Sequence, residues 1–338
     1  MSGMSGAKSR STGNIHFLYY VPVIVIIFIA TIYALIVITR QSATVGVNGF
    51  LPTICAEDLV IGDKFLYLAD GPGGIKVIDI SNPESPSVVN QIATVYALRI
   101  FLDGNTLILC DGPGGFRIYS LDNPQAPEQV FNNRSVWATS AAVFNNRLYV
   151  CDYENGLKTF DITNPDRPRQ VSSSSRQYWT RDVVANERGV FLSNPQNGLY
   201  TFKILESGEP RQQFFHTGGK STFKNLTDFG NYVLIARSDE ATSISVYDIT
   251  DLNNPGLLTE IFPSRFIEGL TISGNLLIVS MGTEGVACLD LQDVQNPKEL
   301  LRFDTPTYAR AAKISGDHMY IADVSGLLVT EIGSIAVE

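Results

Sequence analysis

The stretch Thr53–Pro86, TICAEDLVIGDKFLYLADGPGGIKVIDISNPESP, decides the fold, because it returns 41 residues later as TVYALRIFLDGNTLILCDGPGGFRIYSLDNPQAP over residues 94–127. A third copy, SVWATSAAVFNNRLYVCDYENGLKTFDITNPDRP, follows at the same offset over residues 135–168. The proline after the third apolar run of each unit falls at Pro83, Pro124, Pro165, Pro210, Pro255 and Pro297, with spacings of 41, 41, 45, 45 and 42 residues. A period of this length marks a repeat architecture, in which one supersecondary unit cannot bury its apolar face alone and stacks on its neighbours.

Each unit holds short apolar runs of strand length, FLYLAD, TLILC, RLYVC, YVLIA, LLIVS and MYIAD among them, separated by Gly, Asn and Asp turn signals. A second run, IKVIDI in the first unit, recurs as FRIYSL, LKTFDI, LYTFKI, ISVYDI, VACLDL and LLVTEI. No run after residue 40 keeps a helical period. Seven units of four strands predict an all-β domain over residues 43–338, a seven-bladed β-propeller of four-stranded blades. The last unit stops at VTEIGSIAVE, without the Asn-Pro turn and outermost strand of its siblings. At the other end, ATVGVNGFLPTICA aligns with the outer-strand segment PSVVNQIATVYA. Residues 43–51 are therefore expected to supply the outer strand of the last blade and to cover an otherwise open edge.

The pattern of a tyrosine or valine strand, Ala-Asp, a Gly-rich turn, Gly-Leu or Gly-Ile, then Val-x-Asp-Ile-x-Asn-Pro, seen in YLADGPGGIKVIDISNP and YVCDYENGLKTFDITNP, resembles the LVIVD repeat family of bacterial and archaeal surface proteins. The resemblance spans residues 43–338, is strong in the first three units, and weakens in the fourth and fifth, at LYTFKILESGEP and ISVYDITDLNNP. It implies a propeller in an extracytoplasmic setting and carries no catalytic motif.

Ahead of the repeats, Phe17 to Thr39 reads FLYYVPVIVIIFIATIYALIVIT, twenty-three residues without a charge. At 1.5 Å per residue this is long enough to cross a hydrocarbon core of about 30 Å as one transmembrane α-helix. A cleaved signal peptide is the alternative, but its apolar core is shorter and ends in a small-residue site, whereas this one runs into Ile-Thr-Arg-Gln. Lys8, Arg10 and His16 precede the span with no acid. Positive residues stay inside, so residues 1–16 are expected to be a disordered cytoplasmic tail and the propeller to lie periplasmic or extracellular on a single-pass anchor in the cell membrane. So few residues separate Thr39 from the first strand that the propeller is expected close to the bilayer, seventh blade nearest.

Of the 338 residues, 25 are Lys or Arg and 34 Asp or Glu, for a net charge of −9. An acidic chain has little with which to neutralise phosphates, so nucleic acid is excluded as a partner. Four cysteines without a C-x-x-C pair make neither a disulfide scaffold nor a zinc site. Cys110 and Cys151 hold the same place in adjacent blades, too far apart to bridge. His216 and His318 lack companions at metal-ligand spacing, and no nucleophile elbow occurs, so no catalytic residue, cofactor or metal is expected. The DGPGG turns feed strands rather than a helix and read as hairpins instead of phosphate loops. Their aspartate recurs as Asp70, Asp111, Asp152 and Asp323, with Asn194 in the fourth unit, and reads as a turn-bonding residue. Asn133-Arg-Ser and Asn225-Leu-Thr match the short glycosylation pattern.

Two features rise above the scaffold. One aromatic in each blade from the second to the seventh lies near the start of the innermost strand: Tyr96, Trp137, Trp179, Phe223, Phe266 and Tyr308, either anchors for a partner at one mouth of the channel or packing between blades. The second is charge. Residues 134–224 carry 12 basic and 8 acidic side chains, against 4 and 10 over residues 41–133 and 6 and 16 over residues 225–338. Arg167, Arg169, Arg176, Arg181, Arg188 and Arg211 thus form a basic sector able to orient a protein encounter, or an ordinary variation of solvated charge. The expected function is a non-enzymatic accessory or scaffold subunit of a larger membrane protein complex, of respiratory or photosynthetic type, touching the lipid bilayer through residues 17–39. A surface-anchored carbohydrate- or peptide-binding propeller is the alternative, and a propeller enzyme the third reading.

Overall fold

The computed structural model describes residues 47–174, 179–196, 198–216, 222–238 and 242–333. Residues 1–46, with the expected span at 17–39, lie outside the described residues, and among those described no helix is long and apolar enough to cross a membrane.

The described residues form twenty-eight strands in seven antiparallel sheets of four. The first blade runs Asp58–Ile61, Phe65–Ala69, Ile75–Asp79 and Ser87–Ile92, each strand pairing with the next. The innermost strands of the following blades are Arg99–Asp103, Ala138–Phe144, Asp182–Ala185, Thr222–Phe229, Gly269–Ser273 and Ala309–Ser315. Each packs against the innermost strands of both neighbouring blades, the last against the first, so the seven close a ring around a central channel.

The middle strands read as unbroken apolar runs because both sheet faces are buried. In Phe65–Ala69, Leu66 and Leu68 face blade seven while Tyr67 and Ala69 face blade two. Seven such clusters, one per interface between adjacent blades, make up the core. Each fully buried Leu, Ile or Val contributes about 1.5–3 kcal/mol of transfer free energy, so the packed blade faces hold the ring together.

The seventh sheet closes as its missing outer strand requires. Val47–Pro52 pairs with Gly326–Glu331, with Phe50 opposite Leu328 and Pro52 opposite Gly326. Residues 47–51 of the expected segment lie in this strand, Pro52 extends it, and residues 43–46 fall outside the described residues. Gly326 is needed here because a Cβ at that position would meet the Leu51 carbonyl and the Phe50 ring.

The meander gives the ring two distinct faces. Innermost strands start at the upper face, which also carries the turns between second and third strands, including DGPGG. The lower face carries the first-to-second turns and the Asn-Pro turns. Strands of about five residues at roughly 3.3 Å each hold the faces about 17 Å apart.

Candidate functional site at the upper channel mouth

The recurrent aspartates position this mouth. Asp111 is fully buried and accepts hydrogen bonds from the backbone N–H of Val95 (3.1 Å) and Tyr96 (2.7 Å), in the loop that leads into its own blade's innermost strand. Arg117 closes the arrangement, its Nε 2.9 Å and Nη2 2.7 Å from Asp111 Oδ2. Asp70 does the same for Ile54 (3.2 Å) and Cys55 (2.7 Å) and pairs with Lys76. Asp152 accepts from Trp137 N at 3.3 Å and from turn amides, and Asp323 from Thr307 N at 3.2 Å. Each carboxylate thus ties a second-to-third-strand turn to the incoming loop, which holds the next side chains out on the upper face.

The result is one-sided. Ile54, Val95, Trp137, Trp179, Phe262 and Phe266 are 41–63% exposed, and all six lie on the loops that enter the blades at the upper face. Among the described residues, the remaining exposed large apolar side chains are Val88, Leu257 and Leu300 on outermost strands and Leu205 in a lower turn. Trp137 stacks obliquely on Tyr153 at 5.6 Å, and the Tyr153 carbonyl accepts the Trp179 backbone N–H at 2.7 Å, so the two tryptophans share one platform across blades three and four. Trp179 has φ +63°, a left-handed conformation that a bulky residue enters at a cost of about 1–2 kcal/mol.

The other aromatics divide. The Tyr96 hydroxyl donates to Glu57 (2.7 Å) and the Tyr308 hydroxyl to Glu268 (2.8 Å), and both rings are half-buried. Burial first, then Glu268, pushes the Tyr308 phenol up to about 12. Phe223 is buried because it does not precede the innermost strand Thr222–Phe229 but lies within it, opposite Arg237 as Ala138 lies opposite Asp152, and its ring enters the interface between blades four and five.

Below this rim lies a small well of about 90 Å³, lined from all seven blades by Glu57, Leu98, Arg99, Thr139, Arg181, Lys224, Asn225, Glu268 and Arg310. Arg310 stands 3.3 Å from Glu57 and 3.9 Å from Glu268, its guanidinium 5.4 Å from the Tyr308 ring, and Lys224 stands 3.4 Å from Glu268. Arg99 reaches across the channel to Asn225 Oδ1 at 2.6 Å and lies 4.0 Å from Asp182. Its guanidinium divides the well from a larger lower chamber of about 450 Å³, which has walls such as Val60, Phe101, Val184 and Leu270 and holds Asp58, Asp182 and Lys313. Burial pushes the Asp58 carboxyl up against the opposing pull of Arg99 and Lys313. Burial likewise pulls the Lys313 amine down.

These two buried carboxylates also join neighbouring blades. Asp58 accepts from Ile100 N (3.1 Å), and Asp182 from Ser140 Oγ (2.5 Å) and Leu226 N (3.1 Å). The channel groups escape sequence reading because their partners are remote, although Asp58, Arg99, Ser140 and Asp182 recur at about the repeat period, each within the first three residues of an innermost strand. That periodic polar position is the available signal.

The basic sector is split between faces. Arg181 lines the upper well, whereas Arg167, Arg169 and Arg211 lie at lower Asn-Pro-type turns and Arg188 at a lower first-to-second turn. Arg169 and Arg147 pair with Asp161, and Arg188 binds Asn231. Arg176 lies outside the described residues. The five described arginines are therefore not one patch. Asn225 sits in the channel well, away from any glycosylating surface.

Among the described residues no group of three His, Cys, Asp or Glu side chains is placed to hold a metal ion. The cysteines are free thiols, three of them buried.

The family profile for the LVIVD repeat matches residues 55–94, 137–174 and 306–334. The fold is that of a seven-bladed β-propeller. The chain is such a propeller carrying LVIVD repeats, matched in blades one, three and seven. No curated protein sequence matches it. Among solved structures it is similar to the computationally designed Ika8 protein (13% identity, TM-score 0.62, 85% of this chain and 100% of the other) and to Saccharomyces cerevisiae Sqt1 (10%, 0.63, 86% and 86%). It is also similar to a candidate 6-phosphogluconolactonase of Bacteroides uniformis (11%, 0.62, 73% and 85%). At these identities the likeness shows the fold alone.

Proposed function

We propose that the protein is a non-catalytic binding and scaffold propeller that docks a partner protein on its upper face. It acts as an accessory subunit of a larger membrane complex and is held to the membrane by residues 17–39. The observation that carries this reading is the gathering of six exposed apolar side chains, Trp137 and Trp179 among them, on one face of the ring. Aromatic side chains, Trp above all, are enriched at protein interfaces, and a single Trp buried there is commonly worth about 2 kcal/mol or more. The strained Trp179 backbone supports the same reading, since strain persists at sites that use it. The charge-free stretch at 17–39 supports the anchor.

The test is co-purification of the full chain from native membranes followed by mass spectrometry. Trp137→Ala with Trp179→Ala is expected to lose the partner, while Arg167→Glu with Arg169→Glu, on the lower face, is expected to keep it. Retention by the tryptophan pair would refute the upper-face interface, and resistance of residues 1–40 to recovery in the membrane fraction would refute the anchor. A second reading, carbohydrate recognition, draws on the Trp137–Tyr153–Trp179 platform. Glycan binding by the full chain that disappears with the same tryptophan pair would replace the protein partner.

A further inference from the structure

The upper well is chemically lopsided. Four cations line it, Arg99, Arg181, Lys224 and Arg310, against two carboxylates, Glu57 and Glu268, on a chain whose net charge is −9. Three of the cations are engaged: Arg99 by Asn225, Lys224 by Glu268, Arg310 by Glu57. Both carboxylates are engaged by these cations and by Tyr96 and Tyr308. The Arg181 side chain has no hydrogen bond or ion pair among the described residues; only its backbone N–H is bonded, to the Ser193 carbonyl at 3.0 Å. It belongs to the half of the mouth built by blades three and four, opposite the Glu57–Arg310–Glu268 chain, two residues after Trp179 and beside Thr139, whose hydroxyl bonds the Thr180 carbonyl at 3.0 Å.

We propose that Arg181 is the receptor for a carboxylate presented by an acidic segment of the docked partner, inserted past the Trp137–Trp179 platform into the well. The inference rests on the upper-face docking reading and specifies the partner's chemistry. A planar guanidinium with unclaimed donors matches a carboxylate through two parallel hydrogen bonds. The well fits this occupant: about 90 Å³ takes a carboxylate but is well below the roughly 300–1,000 Å³ of pockets that hold drug-sized ligands. Arg181 is itself exposed at the mouth of the well, open to an incoming group, and the excess of cations there makes the approach of one negative charge favourable.

The chain supplies its own reporter, since Trp137 and Trp179 are its only tryptophans and both stand at this mouth. The full chain in detergent is titrated with N-acetyl-glutamate α-amide and, in parallel, with N-acetyl-glutamine α-amide, and intrinsic tryptophan emission is followed. The glutamate derivative is expected to change the emission saturably in the millimolar range, the glutamine derivative to leave it unchanged, and Arg181→Gln to weaken the glutamate response at least tenfold. Arg167→Gln, on the lower face, is expected to leave it intact. Equal responses to the two derivatives, no saturable response, or an unaltered titration in Arg181→Gln would each overturn the proposal. The docking reading is scored separately by co-purification: a partner lost from the tryptophan pair but kept by Arg181→Gln leaves docking standing and removes the carboxylate receptor.

Discussion

Replacing Asp111 by Ala tests whether the turn aspartates hold the upper face in place. The fully buried Asp111 carboxylate serves two backbone amides, of Val95 and Tyr96, and the guanidinium of Arg117, itself only about 10% exposed. Removing one member of a buried pair strands the other and costs about 3–5 kcal/mol, because the desolvation already spent on the guanidinium is no longer offset. Asp152 is the internal control. It is as buried and bonds Trp137 N, Glu154 N and Asn155 Nδ2, but among the described residues no cation pairs with it, since Lys158 donates to Ser173 instead. Asp152→Ala then strands only neutral donors, with longer contacts, at about 1–2 kcal/mol. Adding Arg117→Met to Asp111→Ala removes the stranded charge and is expected to recover at least 1 kcal/mol despite deleting a further side chain. Urea unfolding of the full chain in detergent, followed by near-ultraviolet circular dichroism, measures all four proteins. If Asp111→Ala and Asp152→Ala cost the same, or if the double variant is less stable than Asp111→Ala alone, the ion pair is not what secures this loop.

Closure of the ring is tested by Gly326→Val, whose side chain would run into Leu51 and Phe50; it is expected to release the Val47–Pro52 strand, seen as faster amide exchange at Phe50 and Leu328, and protection equal to the parent would refute the pairing. Burial raises the Cys110, Cys151 and Cys288 thiols, Cys288 to about 12, so these three are expected to resist maleimide at pH 8 until the chain is unfolded. Rapid native labelling of any of them would contradict the blade packing. For Asp58 the folded pKa is raised, so the folded state holds the proton more tightly than the unfolded chain. Its contribution is complete below the unfolded value of about 3.9 and is lost as pH rises through the folded value. Asp58→Asn is therefore expected to flatten the fall in melting temperature above about pH 4; an unchanged profile in that window would refute the assignment.

Much of the architecture was legible along the chain. The 41-residue offset, the recurring Asp and Asn-Pro turns and the truncated seventh unit are local and periodic, and they are enough to specify blade number, strand order and closure by the first strand. The exposure of Trp137 and Trp179 is not legible in the same way, since Tyr96 and Tyr308 hold the same place ahead of an innermost strand and are half-buried. The transmembrane stretch at 17–39 is a property of composition alone, and it remains an expectation drawn from sequence.

What tertiary structure decided is which residues meet. Residues close together within one unit lie on opposite faces about 17 Å apart, so the basic run from Arg167 to Arg211, contiguous in sequence, splits into Arg181 above and the other described arginines below. Residues far apart in sequence converge on the axis, where Arg99 bonds Asn225 across 126 positions and Glu57, Glu268 and Arg310 share one network. Phe223 falls near the aromatic spacing yet lies within its strand, where the ring turns into the blade interface. A repeat fixes its own strands through short-range alternation, but the contents of the channel arise only when seven units close on one another, because each contributes only one or two side chains and the pairs formed there join different blades.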